Sequence, residues 1–209
     1  MFAHNMSSGC PTKILWAFFG DKMFNILLDK LPNEYEGYLI RPSFRIGMQI
    51  CLCMDDPDYT DEEKAYICLN LLYGNGVPDI ETAVKGLQWF MACGNPEHKT
   101  VGENKTLFYW DFDAARLFSS FKQTYGIDLH KVDLHWFEFI AMIGSLDKDS
   151  AFQKAVEIRG YDMKDLRGKH RTDMQNMKKN LTPEKKLSDE EQKQLDEFDL
   201  LLAGGDVNG

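Results

Sequence analysis

The segment YGIDLHKVDLHWFEFIAMIGSL, Tyr125 to Leu146, constrains this fold more than any other. Its second half reads as a helix apolar around most of its circumference. Trp136, Phe139, Ile140 and Ile143 run down one side, and Phe137 and Leu146 widen it. Such a helix has no face to give to water, so it belongs at the centre of a domain. Burying each large side chain is worth roughly 1.5–3 kcal/mol. A chain built around it needs other amphipathic helices to cover it.

The same stretch holds two histidines and three acids, so it is also where chemistry would be sought. Ligands on a helix share a face at spacings of three or four residues. His130 and His135 are five apart, about 140° out of alignment. Asp128 and Asp133 stand near the expected helix start, where acids cap rather than ligate. His135 and Glu138 do share a face, but a site needs a third ligand, and the other histidines, His4, His98 and His170, lie in dissimilar segments. The expectation is a core-edge histidine and no metal. Asp111 and Asp113 flank Phe112 at a helix start, where a carboxylate meets the positive end of the dipole. No nucleophile elbow, phosphate-binding loop or dinucleotide fingerprint is present. The reading is a chain with no catalytic, cofactor-binding or metal-binding residues, and not an enzyme.

Cysteine usage agrees with this. Cys10, Cys51, Cys53, Cys68 and Cys93 show no C-x-x-C spacing. Cys51 and Cys53 point about 200° apart on a helix and cannot clamp one ion. Small buried hydrophobes in a reducing cytoplasm is the natural assignment. The net charge of -9 argues against a phosphate-backbone binder. No apolar run approaches the roughly twenty residues a membrane span requires.

Along the chain, residues 1–22 differ in character from the segment that Met23 opens. Met23 is a candidate natural start, since the codons for "GDKM" can encode a ribosome-binding sequence, leaving 1–22 as a disordered leader or mis-assigned start. A single compact multi-helix domain, mainly α, is expected over 23–163. Within it a short helix from Met23 to about Leu31 precedes an extended Tyr35–Ile40. Ser43 caps the helix FRIGMQICLCM. Thr60 and Glu63 form a capping box before KAYICLNLLYG, and Asp79 caps IETAVKGLQWFMAC with Gly94 as the C′ residue. Asn95–Lys105 reads as a polar loop. Helices are predicted from about Leu107 to Tyr125 and from about Asp149 to Arg159.

Over 164–209 the chain becomes a charged helical extension with a disordered end. Eight bases (Lys164, Arg167, Lys169, Arg171, Lys178, Lys179, Lys185, Lys186) face three acids up to Lys186, and seven acids come after them against Lys193. Thr182-Pro183-Glu184 and Ser188-x-x-Glu191 are further helix-start signals. The two halves could pair with each other, with a neighbouring copy or with another protein.

Several blocks together carry a resemblance. Phe121, Tyr125, Gly126, Ile127, Asp128, Leu129, Leu134, His135, Trp136 and Phe137 match a signature of the bacteriophage gene-product-fifteen family of tailed phages and prophages. LLDKLPNEYEGYLIRPSFR, DEEKAYICLNLLYG, AVKGLQWFMACG, WDFDAARLFSSF and IRGYD are similar in order. The resemblance covers about residues 23–180. It departs at Pro42-Ser43, where the family commonly has an aspartate before the Phe-Arg pair. It implies no catalytic residues. It implies a gene between those for the major tail protein and the tape-measure protein, and so a tail-assembly chaperone acting in the cytoplasm of the bacterial host. Its partners would be the tape-measure protein and possibly the tail-tube protein. A minor structural component of the finished tail is the alternative.

Overall fold

A computed structural model describes residues 24–95, 106–184 and 193–198, and the fold it shows is mainly helical. A two-stranded hairpin, β1 (Glu34–Tyr35) and β2 (Tyr38–Leu39), precedes α1 (Phe44–Asp55), α2 (Asp61–Tyr73) and α3 (Ile80–Met91). Then come α4 (Ala114–Tyr125), α5 (Trp136–Gly144), α6 (Ala151–Gly160) and α7 (Gly168–Asn180). A further helical stretch occupies 193–198. The expected leader, the polar loop from 96 to 105 and most of the acidic end lie outside the described residues.

Local chemistry starts α1, α2, α3 and α6 close to where they were expected. Ser43 Oγ accepts from the Arg45 amide, and Asp79 accepts from the Thr82 amide at 3.1 Å. Thr60 and Glu63 close a full capping box, with the Thr60 amide donating to Glu63 at 2.9 Å. Ser150 caps α6 through the Gln153 amide. Each such cap is worth about 1 kcal/mol. The extended arm proves to be a hairpin, pairing Glu34 with Leu39 and Tyr35 with Tyr38. Glu36 and Gly37 both take positive φ at its tip, the turn that suits the twist of paired strands.

The core lies around α5. Trp136, Phe137, Phe139 and Ile143 are buried, together with Ile50, Leu72, Phe90 and Phe121 from its neighbours. Phe139 sits 4.7 Å from the Phe44 ring and 5.2 Å from that of Phe121, while Trp136 lies 5.8 Å from Trp110. α1 packs on α2 and α5, α2 on α3, α4 on α6 and α6 on α7. Gly47 lets α1 approach this closely, because any Cβ there would overlap the Trp136 ring.

Several boundaries differ from expectation, each for a tertiary or competing local reason. The described residues 24–31 form no helix. Asn25 Oδ1 accepts from the Leu27 amide, and the Asp29 carboxylate accepts from the Asn25 amide at 2.7 Å, closing a tight turn instead. α3 ends at Met91, with Cys93 rather than Gly94 as C′. Cys93 takes φ 53° and donates to Phe90 O, and Gly94 donates to Trp89 O. α4 begins at Ala114, not near 107, because Asp113 is held by a distant arginine. α5 begins at Trp136. Leu134 and His135 are extended and pair with the segment before α1, through Phe44 N to Leu134 O at 2.9 Å and Trp136 N to Pro42 O at 2.7 Å. Thr182–Glu184 is not helical.

Candidate functional site

His135 is the N-cap of α5. Its Nδ1 accepts from the Phe137 amide at 3.0 Å, while the Glu138 carboxylate accepts from the His135 amide at 3.1 Å. The remaining ring nitrogen, Nε2, lies 2.8 Å from Pro32 O and so carries the proton it donates there. Both ring nitrogens are therefore committed to backbone. Burial lowers the His135 pKa below its ordinary value, outweighing the Pro32 carbonyl and the Glu138 charge, which act to raise it. Histidine and glutamate do share a face, as the spacing implied. They use that face to build a capping box.

The other candidates are scattered. His130 is exposed beside Phe118, and His170 is exposed on α7. Asp128 accepts from the His130 amide and pairs with Lys122, which with the amide donor holds its carboxyl below the usual range. Asp133 binds the Ser43 hydroxyl and, at 2.9 Å, Arg45. Arg45 also donates to Leu129 O, so this cluster staples the chain before α5 to the start of α1. Cys53 and Cys68 are buried, and Cys51 and Cys93 half-buried. Burial pushes the thiols of Cys51 and Cys93 up to about 12, far from the reactive thiolate. Among the described residues no three His, Cys, Asp or Glu side chains come together as a metal site. His4, His98 and Cys10 lie outside the described residues.

A polar centre that sequence reasoning missed stands at Asp113. Read from the sequence as a dipole-facing acid, it is 1 % exposed and binds Arg159 through both oxygens, at 2.6 and 2.9 Å. Arg116 and the Tyr109 amide supply two further donors, at 2.8 and 2.9 Å. Burial acts to raise the Asp113 pKa. The hydrogen bonds and charge of Arg159, with the Tyr109 amide and Arg116, prevail and hold it below the ordinary value. Arg159 also reaches Leu107 O and Leu181 O, so one guanidinium ties together the start of α4, the end of α6 and the end of α7. The hint in the sequence was an arginine on the otherwise apolar face of α6, which a bare core would not tolerate.

Among the described residues the surface carries shallow hollows and several exposed apolar side chains. A groove of about 400 Å³ runs between α1 and α4, floored by Phe44, Met48, Phe118 and Leu129, with Ala114 and Ala115 on one wall and Arg45 and His130 at the rim. Another, about 310 Å³, lies on the outer face of α2 between Tyr59, Tyr66 and Ile67 beside Glu62 and Glu63. Leu27 and Leu28 project from the N-terminal turn, 89 % and 82 % exposed. The buried side chains of Asp113, Ser120, Ser150 and Arg159 bond within the fold, and several apolar side chains face solvent.

The family model described as Bacteriophage Gp15 protein matches residues 27–182. No curated protein and no solved structure matches the chain.

Proposed function

Since this chain belongs to the Bacteriophage Gp15 protein family, we propose that it is a non-enzymatic tail-assembly protein, a chaperone that covers the tape-measure protein until tail-tube subunits replace it. The observation that carries this reading is the contrast between the interior and the surface. The buried side chains of Asp113, Ser150 and Arg159 serve a cap or an ion pair, while Leu27 and Leu28 stand in solvent and the exposed Tyr59 and Tyr66 line a shallow apolar hollow on α2. A chaperone of a long helical protein needs many weak, reversible contacts of that kind, because it must leave as the tube polymerises. The groove between α1 and α4, with two alanines on one wall, suits the apolar stripe of a partner helix. The negative net charge of -9 keeps such a protein soluble while it carries that surface.

Co-purification from induced or infected cells tests the proposal. The tape-measure protein should be recovered with this chain, and should aggregate when made alone. Purified virions should hold this chain far below tail-tube stoichiometry. Recovery at a fixed, high ratio in virions would favour the minor structural component. Absence of the tape-measure protein from the complex, with that protein soluble on its own, would remove the chaperone reading.

A further inference from the structure

We infer that α7 is an arm able to undock from the folded domain, because it is held by an exchange of helix-end caps and not by buried surface. α6 and α7 meet at their C-termini. Arg159, in the last turn of α6, donates through Nε at 2.7 Å, and through Nη2, to the carbonyl of Leu181, the residue that caps α7. In return Lys178, in the last turn of α7, donates through Nζ to Arg159 O at 2.9 Å and to Tyr161 O. Tyr161 is the cap of α6. Each helix thus satisfies carbonyls the other leaves without an intrahelical partner, and each places a cation at the other's negative end.

Among the described residues little apolar surface reinforces this joint: Met174 and Leu181 are only half-buried. α7 buries none of its thirteen residues, whereas α6 buries Phe152, Ala155, Val156 and Arg159. Capping carbonyls can exchange a lysine for water at small cost, but buried apolar area cannot. The two sides of the joint also differ in what survives separation. Without α7, Arg159 retains both bonds to Asp113 and the one to Leu107 O, so the ion pair beneath stays closed. The α7 side retains nothing comparable. Arg171 Nη1 reaches Met163 O, which belongs to the connecting segment and not to the core. That connection, Tyr161–Arg167, can span up to about 23 Å when extended. Undocking would free Met174 and Lys178, which with the already exposed Arg171 are spaced three and four residues apart on one helix face, as a basic stripe with an apolar centre.

A thirteen-residue helix is marginal on its own in water, so undocking will be read as loss of amide protection. Hydrogen exchange on the full chain, followed by mass spectrometry across a urea series, is the test. In the unmodified protein, α7 amides should exchange well before those of α4, α5 and α6, with weak urea dependence. Lys178→Ala should speed α7 exchange by roughly tenfold or more, the loss of both charge-assisted bonds that Lys178 makes across the joint, and leave α4 and α6 rates unchanged. Three results would each overturn the inference: α7 exchanging only with global unfolding, α7 exchange indifferent to Lys178→Ala, or α4 and α6 accelerating together with α7.

Discussion

At the residue scale, His135 shows how a chemically suggestive side chain becomes structural. Only the neutral ring can cap α5, because protonation would turn Nδ1 from an acceptor into a donor facing the Phe137 amide. The groups facing it act accordingly: Glu138 and the Pro32 carbonyl favour the charged form, and burial, which prevails, disfavours it. The folded-state pKa lies below the ordinary 6.5, so the folded state binds fewer protons than the unfolded chain around and below that pH. The stabilisation is complete above the unfolded value and declines as pH falls through the folded one. Urea midpoints measured from about pH 7.5 to about pH 5 should therefore fall, and His135→Asn, which keeps a capping oxygen, should flatten that slope. A variant slope equal to the parent's would assign the dependence to other groups.

At the element scale, the close crossing of α1 and α5 is set by one missing side chain. Gly47 lies under the Trp136 ring, and Trp136 is 2 % exposed. Gly47→Ala would gain a little intrinsic helix propensity yet force the indole out of place, in a core where Phe90, Trp110 and Phe139 surround that ring. Overpacking should win, with a net loss of about 1–3 kcal/mol in denaturant unfolding. The cap at Ser43 marked α1 as a helix in the sequence, but nothing local gives a reason for the glycine within it. Its reason lies eighty-nine residues away, beyond the reach of any local pattern.

At the scale of the whole molecule, Asp113 and Arg159 join the start of α4 to the end of α6. Their pair is almost wholly buried, with side chains 2 % and 4 % exposed. Removing one partner leaves the other charge in a poor medium, so Asp113→Asn should cost about 3–5 kcal/mol in urea or thermal unfolding. The depressed Asp113 pKa gives the same pair an acid limit: its contribution is present above the ordinary 3.8 and lost as pH falls through the lower folded value. A loss under about 1 kcal/mol would show that water reaches the pair readily.

Much of this was legible in the sequence. The caps at Ser43, Thr60 and Asp79, the apolar character of the helix holding Trp136, and the mainly helical class arise from interactions within four residues, which periodicity and capping rules describe. The shape of the joints was not. α4 and α5 begin later than their patterns suggest because Asp113 is drawn to Arg159 and Leu134 pairs with Phe44, contacts forty-six and ninety residues long. Local preference proposes where a helix can start, and a distant partner that satisfies the same backbone groups decides where it does.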